Sequence, residues 1–112
     1  MLAHDDFEVM IGCAGGEATV HVVGELDLAA RDRLMAALSV ASAAADRLVI
    51  DLSGTTFIDS TGIKALVDVW RFRVNADLEL VLREPSPTVM RTLEMAGLAD
   101  LLPIDRTNHP VV

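Results

Sequence analysis

The 112-residue sequence has no tyrosine, one tryptophan and three phenylalanines, so aliphatic side chains rather than aromatic rings must fill its interior. Its only cysteine is Cys13, and counting alone therefore excludes an intramolecular disulfide and a multi-cysteine zinc site. Basic residues are few: nine against seventeen acids, with Lys64 the only lysine and a formal charge of −8. That balance opposes approach to a phosphate backbone or an anionic bilayer and argues against direct nucleic-acid binding. Between Met1 and Ala30 there are six acids and no Lys or Arg, unlike the basic start of a secretory signal peptide. Long apolar runs are missing too. The longest uncharged stretch, Leu34 to Ala45, has twelve residues, and a membrane span needs about twenty. The expectation is a cytoplasmic protein with no membrane insertion.

What is present is an apolar fraction of 52% in a chain too short for two full domains. A domain of this size buries roughly two-thirds of the surface its unfolded chain exposes, enough for a core without staples. Hydrophobic period predicts two strands, Phe7–Ile11 and Ala18–Val23, joined at Gly15-Gly16 as a hairpin. Gly24-Glu25-Leu26-Asp27 breaks the strand pattern and offers Asp27 as the cap of an alanine-rich helix from Leu28 to Ala45, with Ala30, Leu34, Ala37, Leu38, Ala41 and Ala45 as its inward stripe. Arg47–Leu52 reads as a central strand covered on both faces, with Ser53-Gly54-Thr55-Thr56 as the turn after it.

A second helix follows Asp59-Ser60-Thr61-Gly62, with Ile63, Leu66, Val67, Trp70 and Val74 at inward spacing. Asn75-Ala76-Asp77 turns the chain into a strand at Leu78–Leu82. Ser86-Pro87 then opens a third helix with Val89, Leu93 and Ala96 inside and Gly97 at its end. Leu101–Ile104 returns to the sheet edge. Strands alternating with helices after an initial hairpin predict an α/β fold: a mixed β-sheet of four to five strands with helices packed on it. Residues 1–6 are a lead, 7–104 the domain and 105–112 a polar tail.

Enzymatic chemistry finds little support. Asp59-Ser60-Thr61-Gly62 lacks the G-x-S-x-G elbow of a serine hydrolase. The histidines that would serve as its base are His4 and His109 near the termini and His21 in an alternating strand. Asp59 as a receiver-type phosphoacceptor would need an acidic cluster for Mg²⁺ and an opposed lysine, which the sequence does not present. His4-Asp5-Asp6 has no paired ligands at metal spacing, and Gly12–Gly16 is a turn signal without the lysine and helix of a phosphate loop. No catalytic residue, metal or cofactor is expected. The start of the second helix is where local features converge. There Ser60 and Thr61 place hydroxyls at a helix end that favours negative charge. The plainer alternative is that Asp59, Ser60 and Thr61 only cap the helix. Lys64 follows about one turn later and could simply pair with Asp68.

Gly24-Glu25-Leu26-Asp27, Val49-Ile50-Asp51-Leu52-Ser53, Phe57-Ile58-Asp59-Ser60-Thr61-Gly62 and Ser86-Pro87 with Leu93-Glu94-Met95-Ala96-Gly97-Leu98 occur in an order that resembles the STAS family. More narrowly, the series is similar to bacterial anti-sigma-factor antagonists, over about residues 7 to 104. The resemblance implies a single STAS-like domain that binds an anti-sigma factor with serine-kinase activity and so releases a sigma factor. It implies that the kinase phosphorylates the serine after the Asp of the turn, here Ser60, that the phosphorylated form lets go, and that a phosphatase restores it. Such a phosphoprotein serves transcription regulation, as in stress responses, and ATP and Mg²⁺ belong to the kinase. Thr61, where family members often carry a second serine, is an alternative acceptor. Val74-Asn75-Ala76-Asp77 stands where many members have a glycine pair, which alters a turn. The implied partner-binding set is Glu25, Asp27, Asp59, Ser60, Thr61, Gly62 and Lys64. The competing expectation is a STAS subunit of a lipid- or anion-transport assembly without a phosphate switch.

Overall fold

A computed structural model describes residues 7–105. The lead at 1–6, the tail beyond 105, and His4, Asp5, Asp6 and His109 lie outside the described residues. Five strands form one mixed sheet in sequence order: β1 (Phe7–Ala14), β2 (Glu17–Leu26), β3 (Arg47–Ile58), β4 (Glu79–Arg83) and β5 (Ile104–Asp105). Only β1–β2 is antiparallel. Their register closes at Ala14–Glu17 around Gly15 and Gly16, whose φ of 58° and 81° suit the paired positive dihedrals of a tight hairpin. The other pairs are parallel, joined through α1 (Leu28–Ala44), α2 (Ser60–Asn75) and α3 (Pro87–Met95). The mixed sheet and the α/β class stand as the sequence pattern predicts, with β3 at the centre.

Alternation along the strands divides the sheet into two faces. Ala18, Val20 and Val22 of β2, Leu48 and Ile50 of β3 and Leu80 and Leu82 of β4 point into one apolar cluster. All three helices feed it, with Ala30, Leu34, Leu38 and Ala41 from α1, Ala65, Leu66 and Val69 from α2, and Val89 and Leu93 from α3. The small residues of α1 let its axis lie close to β2. On the opposite face polar rows cross the strands. Arg47 spans Glu17 at 2.6 Å and Glu79 at 2.9 Å, and His21 Nδ1 lies 2.9 Å from Asp51 Oδ2.

Two segments that spell turns are strand. β2 continues through Gly24, whose φ of 102° only glycine adopts easily, to Leu26. β3 continues through Ser53–Thr56 because it carries two bulges. His21 pairs with Asp51 but Val23 with Gly54, and Gly24 pairs with Thr55 but Glu25 with Phe57. Each bulge inserts one β3 residue, so the buried positions become Leu52, Thr55 and Ile58 at three-residue spacing, which no strand template matches. Asp51 Oδ1 accepts from the Ser53 N–H at 2.9 Å across the first bulge, and the buried Thr55 hydroxyl donates to Val22 O at 2.9 Å.

The inward stripe of α2 is rotated from the expected one. Gly62, Ala65, Leu66, Val69 and Arg73 are buried, whereas Ile63, Val67 and Trp70 are half-buried and Val74 is exposed. Arg73 takes the inward position because its guanidinium meets carbonyls rather than hydrocarbon. Nε and Nη2 donate to Glu79 O at 3.2 and 2.8 Å, and Nη2 to Asp46 O at 2.6 Å. Nη1 donates to Ser42 Oγ at 2.9 Å. Burial pushes the Arg73 pKa down from its ordinary value, opposed by the Asp46 charge, but an arginine this basic stays protonated. On α3, Ala96 is an exposed C-cap rather than an inner-face residue, since the helix ends one residue earlier and Gly97, with φ of 76°, reverses the chain.

Candidate partner-binding site

Because β2, β3 and β4 are parallel neighbours, the helices that follow them all begin at the same end of the sheet. In α/β sheets this carboxyl end is where ligands and partners are met. Asp27 and Ser86 cap their helices as the sequence offers, and of Asp59, Ser60 and Thr61 it is Asp59 that caps α2. Asp27 Oδ1 accepts from the Ala30 N–H at 3.1 Å, Asp59 Oδ1 from the Gly62 N–H at 3.0 Å, and Ser86 Oγ from the Val89 N–H at 3.3 Å. Ser86 also ties α3 to the bulged strand, its hydroxyl donating to Thr55 O at 2.6 Å.

The bulges of β3 decide where Asp59 stands. After the second, Ile58 turns into the core opposite Leu26, and the Asp59 N–H reaches Leu26 O at 3.3 Å. The next turn of α2 is then pressed against the end of β2. A Cβ on Gly62 would lie 2.6 Å from Leu26 O and 2.8 Å from Ile58 Cγ1, so only glycine fits. Gly62 is accordingly buried, beneath the surface that Ser60 exposes.

Ser60 is the first residue of α2, exposed, one residue past the cap. Thr61 is half-buried and less accessible. The positive end of the helix macrodipole beside Ser60 favours an anion there. Lys64, exposed, lies one turn along on the same helix face and pairs with the half-buried Asp68 at 2.9 Å. Glu25 is exposed beside Phe57, its register partner across β2–β3, and Asp27 is half-buried as a cap. The sequence-predicted residues thus gather on one rim, with Gly62 as its floor.

Two apolar members of that rim are not singled out by the sequence pattern. Leu28, the first residue of α1, is 71% exposed and Phe57 is 45% exposed. Leu28 breaks the inward spacing of its helix, which is a readable signal. Phe57 is masked by the bulges, which shift the period of β3. Among the described residues no group of three or more His, Cys, Asp or Glu side chains gathers. His21, in contact with Asp51, lies on the polar sheet face and is held by that pair.

The family model of the STAS domain matches residues 9–110. An anti-sigma factor antagonist from Mycobacterium paratuberculosis is 26% identical, covers 92% of this chain and 89% of its own, and superposes with a TM-score of 0.79. The anti-sigma factor antagonist SpoIIAA in its unphosphorylated form shares the fold, with a TM-score of 0.73 at 21% identity over 90% of both chains. Sulfate transporter 1.3 of Arabidopsis thaliana is 39% identical over 59 residues, 53% of this chain. The chain spans only 9% of that transporter's length. Among the described residues no helix is long and apolar enough to cross a membrane.

Proposed function

The chain belongs to the STAS domain family, and on that premise we propose that it is an anti-sigma-factor antagonist, a protein-binding module rather than an enzyme, working in the cytoplasm. Its partner is an anti-sigma factor with serine-kinase activity, and binding releases the sigma factor. Phosphorylation of Ser60 ends the association, and a phosphatase resets it. The observation that carries the reading is the exposed Ser60 hydroxyl on a capped, glycine-floored helix start.

The rim suits both halves of such a cycle. Leu28 and Phe57 supply apolar contact, and Glu25, Asp27, Asp59, Thr61 and Lys64 surround Ser60 with polar groups, the arrangement of a small interface with anchors and a polar border. A phosphoryl group on Ser60 adds about −1.5 to −2 charges at a helix end that tolerates them, so the fold has no reason to change. Against a partner surface closed around a neutral hydroxyl, the same group must be desolvated beside the Asp59 carboxylate. A loss of at least tenfold in affinity, about 1.4 kcal/mol, follows.

A second reading rests on the 39% identity with a sulfate transporter segment: the domain would then be a docking part of an anion-transport assembly with no phosphate switch. Co-purification from native cytosol and membranes, with and without ATP, followed by mass spectrometry of partners and of Ser60, separates the two. The expected result is a kinase-type anti-sigma factor that is retained by Ser60→Ala in the presence of ATP and lost from the wild type as Ser60 is phosphorylated. Phosphate on Thr61 with Ser60 unmodified overturns the acceptor, and recovery of a transport protein with affinity indifferent to ATP overturns the antagonist.

A further inference from the structure

Among the described residues the sheet has two edges, β1 and β5. Of the β5 edge the described residues include Ile104–Asp105. The β1 edge is eight residues long, and from Val9 to Ala14 it has no charge and no proline. It exposes Met10 at 54% and Ile11 at 40%, with Cys13 also exposed. Among the described residues no strand pairs with its outer side.

The register tells which backbone groups face outward. A two-residue turn makes Ala14–Glu17 a hydrogen-bonded pair, so bonding to β2 falls on Ala14, Gly12, Met10 and Glu8. The N–H and C=O groups of Cys13, Ile11, Val9 and Phe7 then point away. The carbonyl of Phe7 fits this count, because it accepts from Arg33 Nη2 of α1 at 3.0 Å. For Val9, Ile11 and Cys13 no partner stands on the outer side among the described residues.

We propose that this edge is a homodimer interface, in which β1 pairs antiparallel with β1 of a second copy about a two-fold axis at Ile11. In that register Ile11 faces Ile11 of the other copy, Val9 faces Cys13, and Met10 faces Gly12. The large side chain meets the small one in both directions, and a Cβ at Gly12 has nothing within 4 Å, so the space for Met10 exists. Glu8 falls opposite Ala14, so no like charges meet. The outward groups of Val9, Ile11 and Cys13 form about six main-chain hydrogen bonds and a continuous ten-stranded sheet. A two-fold contact uses β1 of both copies, so assembly closes at two copies, as an isologous contact requires. A second copy is favoured over another strand because the complementarity is between β1 and itself. With −8 charges on each chain, salt strengthens the pair.

Sedimentation equilibrium of the purified chain from micromolar to millimolar concentration tests this. The wild type is expected to approach a dimer and to go no further. Ile11→Asp and Ile11→Lys each place like charges on the axis and are expected to weaken the dimer at least tenfold. Mixing the two variants restores a heterodimer, a result that misfolded variants cannot give. Gly12→Val, in open space within one copy, is expected to disrupt pairing through the lost Met10 site while the thermal transition of the monomer stays put. A wild type monomeric at millimolar concentration overturns the proposal. So do open-ended assembly, a dimer indifferent to both Ile11 charges, and a mixture that fails to associate.

Discussion

The two ends of the parallel sheet treat their polar groups in opposite ways. At the carboxyl end the helix starts are satisfied by short caps, Asp27, Asp59 and Ser86, and the side chains beyond them, Glu25, Ser60 and Lys64, are left in solvent. At the amino end one buried side chain, Arg73, gathers Ser42 at the end of α1, Asp46 before β3, and Glu79 at the start of β4. One end is finished internally, while the other leaves side chains in solvent where the proposed partner would meet them. The rim proposed to bind a partner thus rests on a scaffold tied together at the opposite end of the sheet.

Breaking the closed end gives the largest effect. Arg73→Ala takes both donors from Glu79 O and leaves Asp46 O only the Glu79 N–H at 3.2 Å, and a loss of about 3 kcal/mol in chemical denaturation is expected. Arg73→Lys does not rescue it, since one ammonium cannot reach the separate carbonyls that a planar fork spans. If Arg73→Ala unfolds at the wild-type midpoint, the contrast between the ends is false.

At the open end the floor matters more than the surface. Gly62→Ala drives a methyl against Leu26 O and Ile58, and a destabilisation of about 1–3 kcal/mol is expected. Ser60→Ala, on the surface two residues away, stays within about 0.5 kcal/mol of the wild type. Equal effects of the two would show that α2 is not pressed onto β2.

The smallest effect is a pH dependence that links the sheet face to the rim. Burial is the largest single influence on Asp51 and raises its pKa. The hydrogen bonds from Ser53 and then the pairing with His21 together outweigh it and hold the carboxyl below its ordinary range. A depressed carboxyl contributes stability above its unfolded value of about 4, and that contribution is lost as pH falls through the lower folded value. Denaturation midpoints measured through this acidic window are expected to fall more steeply for the wild type than for Asp51→Asn. Parallel curves would remove Asp51 from the support of the bulge.

The caps, the hairpin and the central position of β3 were legible in the sequence because each depends on a few adjacent residues: Asp27, Asp59, Ser86-Pro87 and Gly15-Gly16. The length of β3 was not, because a bulged strand borrows the residues of a turn and shifts its buried positions to Leu52, Thr55 and Ile58. Arg73 was hidden for a related reason. Hydropathy ranks a side chain by its preference for water, while the carbonyls that hold Arg73 come from three segments brought together only by folding. At the rim, Ser60 and its cap were readable, and Phe57 lay behind the second bulge.

The contact beneath Gly62 has a mechanical consequence. A helix start resting on backbone at van der Waals distance has little compliance, so Ser60 sits on a stiff mount rather than a spring. A change made at a stiff point is not absorbed by yielding around it, and its whole energetic effect is passed to whatever body is pressed against it. Under the proposed cycle, the time to respond is therefore set by the enzymes that add or remove the phosphoryl group and by the partner's departure, with no relaxation of this domain to wait for.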